Sequence, residues 1–320
     1  SDTMIGELGN DSIPKPGYVM VHNSCAILKG NEPKKENIQF YWKKDSNGKP
    51  ATFFEPNTPQ TQKGDYYWLG DGFVNHALND NTYIFCYRIR DTADNLFLFQ
   101  QVGNALIVLP KGSKPPYNDQ RQLDAPIYLV DNTSKYPNNY VSYGSAVFAN
   151  TKDAGAPHAD GYVYVYAVSG EAKKVSVARV KPKYFENFSQ WKYWDGSNWN
   201  SDITKAAAIA DRASNEMSVT PLPDGRYAMV FQTDGLGNSV GLRLGLTPHG
   251  PFGNIIKLWD CTEQKGGKNF IVYNAKVHSN LSKPGELLIS YNVGSFDFWN
   301  DIKVHSNFYR PRFIRVKLGE

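Results

Sequence analysis

The chain has 320 residues, is 41% hydrophobic and 14% aromatic, and sets 35 Lys and Arg against 31 Asp and Glu for a net charge of +4. That composition supplies a sizeable core, and the charges are mixed with no basic block of the kind that tracks a phosphate backbone, which argues against nucleic acid as a partner. No apolar run approaches the roughly 18 residues of a membrane span, no signal peptide is visible, and Cys25, Cys86 and Cys261 show neither metal-ligand spacing nor a disulfide framework.

Short strands separated by Gly, Pro, Asn and Asp clusters run through the chain and divide it into five units. The first, about 1–60, holds strands at 18–28 and 38–42 but opens in mid-phrase at Ser1-Asp2-Thr3-Met4-Ile5-Gly6. One or two of its inner strands are therefore expected to lie outside this chain, with another element filling the gap, because an open sheet edge is a liability. The missing initiating Met also implies an upstream piece, lost by secretory cleavage or by trimming.

The second unit, 61–125, runs from Tyr66-Tyr67-Trp68-Leu69-Gly70-Asp71-Gly72-Phe73 into a strand at 82–87, with outer strands at 95–100 and 105–109. Cys86 falls inside the apolar strand and reads as a buried thiol. The third, 126–205, runs from 140–147 into the alternating strands 162–166 and 175–180 and closes in a hairpin about Asp195-Gly196. The fourth, 206–262, begins with the one helical stretch, 205–212, which Asp202 or Thr204 would cap. It continues through Asn215-Glu216-Met217-Ser218-Val219 to a strand at 225–231, entered by a turn at Asp224. The fifth, 263–320, runs from Tyr273-Asn274-Ala275-Lys276-Val277-His278 into a strand at 285–291 and ends with a strand at 309–318.

A recurring polar, aromatic-flanked segment followed by a strand is how a β-propeller is written. The expectation is an all-β, five-bladed β-propeller forming a single domain, with blade one incomplete at its N-terminus. A parallel βα architecture would need a helix after each strand, and the sequence does not supply them.

A propeller gathers the start of each innermost strand around one axis, so distant polar residues become one site. The carboxylates so placed are Asp2, Asp71 and Glu216. Three acids in an aromatic-lined pocket point to glycoside hydrolysis, in which one carboxyl holds its proton as general acid and another serves as base or nucleophile. Their environments must push their proton affinities apart; Lys276 or Arg312 beside one acid and an apolar surround at another would do so. The accompanying substrate-binding candidates are His22, Asn23, Trp68, Tyr143, Asn274, Lys276, His278, Tyr291, Asn292 and Arg312. Each has a plainer reading. Asp71 between glycines is also a turn signal, the histidines also read as hydrogen-bonded structural residues, and an inter-blade salt bridge is the default for one of Arg310 and Arg312. Most aromatics are expected to fill the space between blades. No nucleophile elbow, phosphate-binding loop or zinc motif is present. The chemistry requires no cofactor, and an axial calcium ion is compatible with the sequence without being called for by it.

At these residues the chain resembles a known group. Ser1-Asp2-Thr3-Met4-Ile5-Gly6 with Met20-Val21-His22-Asn23-Ser24 is similar to the first-blade signature of secreted bacterial five-bladed propellers classed as domains of unknown function. Tyr273 to His278, Ser290-Tyr291-Asn292-Val293 and Arg310-Pro311-Arg312-Phe313-Ile314-Arg315-Val316 are similar to its last-blade signatures. Part of that group resembles endo-D-arabinanases of glycoside hydrolase family 183, and more distantly the fold resembles family 43. The resemblance implies a secreted, periplasmic or cell-surface bacterial enzyme acting on a furanose-containing, arabinan-like polysaccharide or oligosaccharide. Asp2 takes the aspartate of the group's Gly-Asp-Thr phrase, with Ser1 in place of the glycine. The strand that usually precedes it, with its own Gly-Asp-Gly aspartate, is not in this chain. The competing reading is a non-catalytic carbohydrate-binding propeller.

Overall fold

The computed structural model describes residues 2–92, 99–130, 140–267, 269–305 and 307–319. Four antiparallel sheets follow one another along the chain, each built by neighbouring strands that fold back in sequence. Blade A runs outward through Tyr66–Asn75, Asn81–Asp91, Phe99–Leu109 and Arg121–Ala125. Blade B has Tyr140–Asn150, Tyr162–Ser169, Lys174–Val180, Lys192–Trp194 and Trp199–Asn200, with Tyr128–Val130 on the other side of its first long strand. Blade C comprises Met217–Pro221, Tyr227–Gln232, Ser239–Gly245 and Ile256–Asp260, and blade D comprises Phe270–Val277, Glu286–Ser295 and Arg312–Lys317. The first strand of each blade touches the first strand of the next, which makes the fold propeller-like.

The N-terminal segment forms three two-stranded ribbons: Thr3–Ile5 with Val19–Val21, Cys25–Leu28 with Ile38–Tyr41, and Lys43–Lys44 with Pro50–Ala51. The first bridges the ends of the ring. Met4 packs into the core of blades C and D, the Tyr309 hydroxyl donates to the Asp2 carbonyl at 2.9 Å, and Trp68 of blade A donates to the Asp2 carboxylate. The expected strand at 18–28 is broken into Val19–Val21 and Cys25–Leu28 around Asn23, whose backbone carbonyl accepts the Phe53 N–H at 3.1 Å. The segment is anchored to blade A by Arg88, which is 2% exposed and donates to Asp124 at 2.7 Å, Gln60 at 3.0 Å and Thr58 at 3.1 Å.

Sheets that are covered on both faces explain the aromatic excess. Tyr83, Phe85, Tyr143, Phe185 and Trp191 fill the A–B boundary, Tyr164, Tyr166, Met229 and Phe231 the B–C boundary, and Phe53 and Phe54 of the N-terminal segment pack on blade A. Cys86 is fully buried there as a free thiol.

The helix expected at 205–212 does not form. A 3-10 turn at Ile203–Lys205 is capped by Asp202, as expected of that residue, and the chain then runs extended. The reason is competition for backbone donors: Ala207 N–H goes to Trp194 C=O and Ile209 N–H to Val175 C=O, both at 2.8 Å, so the alanines dock on blade B instead of coiling. Of the strand expected at 95–100, residues 95–98 lie outside the described ones, and Phe99–Leu109 is one strand, not two pieces. The Asp195-Gly196 hairpin and the Asp224 turn are present.

Three first strands carry a bulge at corresponding places: Gly70-Asp71, Gly144-Ser145 and Asn274-Ala275. A bulge re-aims the side chains that follow it. Blades A and B meet there so closely that a Cβ on Gly70 would lie 2.9 Å from the Gly144 carbonyl oxygen. One on Gly144, whose φ is +119°, would lie 2.7 Å from the Phe85 Cβ. Gly144→Ala is therefore expected to lower stability by about 1–3 kcal/mol through overpacking and strain, read as a reduced denaturation midpoint. An unchanged midpoint would show that the contact yields freely.

Candidate active site

Asp71 is the hub of the axis. The bulge on its strand turns its carboxylate inward, where Oδ2 accepts the Val147 N–H of blade B at 2.8 Å and Oδ1 accepts the Lys276 ammonium of blade D at 3.0 Å. Lys276 follows the blade D bulge, and His278 two residues on shares its face of the strand. His278 Nε2 is 2.7 Å from Ser290 Oγ, and its backbone N–H donates to Leu288. Asn274 sits in that bulge at φ +62°, a conformation Asn tolerates better than most residues.

Glu216 arrives from the lead-in to blade C, its backbone carbonyl accepting the Ser214 hydroxyl. Burial raises its carboxyl above the ordinary carboxylate range; the Lys276 charge opposes the rise and the Asp71 charge adds to it. Burial alone would weaken the hold of Lys276 on its proton, but Asp71 and Glu216 together more than offset this. Burial and then the neighbouring Lys276 charge push His278 down to about 4, so its imidazole is neutral at pH 7.

Asp2 accepts the Trp68 indole N–H at 2.9 Å on Oδ1, and His22 Nδ1 lies 3.5 Å from the same oxygen. The His22 ring stacks on Tyr66 at 3.7 Å, and Phe99 packs edge-on against Trp68 at 4.6 Å. About a third of the Asp2 side chain remains exposed.

Three phenols complete the cluster and escaped the sequence reading. Burial, with the Glu216 and Asp2 charges adding, pushes Tyr273 up to about 12. Tyr309 is raised by burial, then by Tyr273 and Asp2. Tyr87, raised by burial and by the Glu216 and Asp71 charges, keeps its hydroxyl within reach of Ser145 without closing a hydrogen bond of normal geometry. All three present neutral O–H groups among the acids. Tyr273 stands one position before Asn274 in the repeated phrase and Tyr87 closes the strand at 82–87 that completes it, which were their available signals; Tyr309 lies at the start of the strand expected at 309–318.

Other candidates fall elsewhere. Asn23 is fully buried and stitches the N-terminal segment to blade A, donating to Phe54 and Tyr67 carbonyls at 3.0 Å and accepting the Phe54 N–H at 2.7 Å. Tyr143 is fully buried, its ring against Tyr193 and its hydroxyl 3.3 Å from Ser176 Oγ. Tyr291 and Arg312 both bind Glu263, the phenol donating at 2.9 Å and the guanidinium 3.4 Å away. This is the salt bridge expected of one arginine of the Arg310–Arg312 pair. These four side chains are engaged with protein partners: Asn23 and Tyr143 are fully buried, and Tyr291 and Arg312 share Glu263. Asn292 is half-buried opposite Tyr273 in the blade D ladder.

Two surface hollows, about 460 and 390 Å³, are lined by residues such as Asn75, Ala149 and Asp160, and Tyr83, Arg121 and Glu186; neither includes a member of the acid cluster. The site is marked by converging charge: Asp71, Lys276 and Glu216 come from blades A, D and the lead-in to C. Among the described residues no group of three or more His, Cys, Asp and Glu side chains is arranged to hold a metal ion, and the cation that Asp71 binds is Lys276. Among the same residues no helix is long and apolar enough to cross a membrane.

The coupling between these groups has a measurable sign. In a carboxyl ¹³C NMR titration, Asp71→Asn is expected to lower the Glu216 midpoint, because a neighbouring negative charge is lost, and Lys276→Met to raise it. Equal midpoints in wild type and both variants would show that the three groups do not interact.

The family described as a domain of unknown function (DUF5005) matches residues 1–318. No curated protein matches the chain. Among solved structures, a Bacteroides ovatus ATCC 8483 protein provisionally assigned as a hydrolase aligns with a TM-score of 0.74 at 22% identity, covering 98% of this chain and 80% of that one. Fainter likenesses include the GH43_1 enzyme from Xanthomonas citri complexed with xylotriose, with a TM-score of 0.46, 13% identity and coverage of 92% and 78%. The endo-arabinase from Bacteroides thetaiotaomicron VPI-5482 gives 0.42, 12%, 79% and 75%. The fold is thus shared with a protein assigned to hydrolases, and the fainter structural neighbours are glycoside hydrolases.

Proposed function

The chain belongs to the DUF5005 family, and we propose that it is a glycoside hydrolase acting on a furanose-containing, arabinan-like or related polysaccharide through its axial carboxylates. The observation that carries this reading is the pairing of unlike acids. Glu216 is half-buried and its carboxyl is raised by burial above the ordinary carboxylate range, beside an Asp71 that is ion-paired to Lys276. A glycosidase needs such a division of labour between carboxyl groups.

In this reading Glu216 gives its proton to the glycosidic oxygen as the bond to the anomeric carbon breaks. Asp2, partly exposed and oriented by Trp68, either takes a proton from the attacking water or itself bonds to the anomeric carbon. Asp71 tunes Glu216 and fixes Lys276. The neutral imidazole of His278 and the phenol of Tyr273 are oriented to bind sugar hydroxyls. The N-terminal ribbon takes the place of a fifth blade, with the five units dividing near residues 60, 125, 205 and 262. The resemblance to secreted bacterial propellers supports a periplasmic, cell-surface or secreted location.

Arabinan, arabinogalactan and xylan, each assayed for new reducing ends, test the reading. Glu216→Gln and Asp2→Asn are expected to lower kcat at least about 100-fold, the usual scale for losing a general acid or base, with the melting temperature maintained. Because Glu216 must be protonated, kcat/KM falls as pH rises through its raised midpoint, and Lys276→Met moves that limb to higher pH. Full activity in both carboxylate variants would remove the assignment. Polymer binding without cleavage by the wild type would make the protein a carbohydrate-binding propeller.

A further inference from the structure

We propose that Trp299 is a stacking platform for the same saccharide chain, gripping units beyond those at the acids; this rests on the glycoside-hydrolase reading above. Trp299 lies on a short helix, Phe298–Asp301, that follows the blade D strand Glu286–Ser295. It is 53% exposed, although a large aromatic gains more from burial than almost any other side chain.

Its position is nonetheless fixed. Tyr18 lies alongside it with ring planes 9° apart and centroids at 6.3 Å, and Phe298 meets it edge-on at 5.2 Å. Tyr18 is itself placed by the close approach of Gly6, where a Cβ would come within 2.7 Å of the Tyr18 Cβ. The helix is rooted by Ile302 and Phe308, each 3% exposed. A rigid exposed ring is a surface prepared for a partner.

Continuity with the acids indicates which partner. Phe298 packs edge-on against Tyr309 at 4.8 Å, and the Tyr309 hydroxyl holds the Asp2 carbonyl at 2.9 Å. Two ring contacts and one hydrogen bond therefore connect Trp299 to Asp2. Trp68 and the His22–Tyr66 stack also meet Asp2. The turn around Trp299 exposes Asp297, Asn300 and Lys303, together with the apolar Phe296 and Val304. A flat apolar ring framed by hydrogen-bonding groups suits the C–H face and hydroxyl rim of a sugar.

The test is affinity electrophoresis in gels containing arabinan, arabinogalactan or xylan, using the Glu216→Gln protein so that the polymer stays intact. Adding Trp299→Ala is expected to weaken retardation about tenfold in apparent Kd, and Trp299→Tyr to restore most of it. Trp299→Leu keeps apolar cover over Tyr18 without a flat face and is expected to behave like Trp299→Ala, which separates stacking from support of the fold. Equal retardation in all forms overturns the proposal. So does no retardation of the Glu216→Gln protein by any of the three polymers, or a dimer in sedimentation that Trp299→Ala dissolves. Trp299-dependent retention in a protein without turnover would leave the platform standing and remove the hydrolase; turnover with Trp299-independent retention would do the reverse.

Discussion

A carboxylate drawn into the centre of a ring of sheets must be matched by a cation and by hydrogen-bond donors, or the chain would not keep it there. Asp71 meets that requirement with Lys276, 205 residues later in sequence, and with the Val147 N–H of the adjoining blade. Three blades are joined through one side chain, and Asp2 performs a similar service between blade A and the Tyr309 segment. The same contacts that close the axis also bring the acids together. Ring closure and the chemistry of the site are thus one arrangement, which explains why the bulges that re-aim these side chains occur at corresponding places in three blades.

The architecture was readable because each blade is local. Its strands pair with their sequence neighbours, so alternation and turn residues suffice to find them. Position in the repeated phrase predicts that Asp71 and Lys276 face the axis, and the two meet across it at 3.0 Å. The burial of Tyr143 was not legible because that phrase marks a place on a strand without saying which face a bulge presents, and Asn23 lies in the N-terminal segment, where the phrase does not recur. The shift after Tyr143 leaves its ring in the A–B core, while the equivalent bulges aim Asp71 and Lys276 inward. The alanine run at 205–212 was misread because helix propensity is a weak force beside a neighbouring sheet edge that takes its N–H groups. Tyr291 and Arg312 are the mirror case: polar residues late in the last blade whose partner, Glu263, lies at the junction with the blade before it.

Aromatic residues serve two purposes here. Most are structural, filling the wedge-shaped space between blades that face each other on both sides. A smaller set stays near the surface around Asp2: Trp68 and the His22–Tyr66 pair on one flank, Tyr309, Phe298 and Trp299 on the other.

The central claim is that Glu216 donates a proton to the departing sugar oxygen. It is tested most directly by comparing Glu216→Gln with wild type on the cleaved polysaccharide and on an aryl glycoside of the same sugar whose phenol leaves without protonation. The account predicts that polymer cleavage collapses while hydrolysis of the aryl substrate is largely retained. An equal loss on both substrates, or no loss on either, would contradict it.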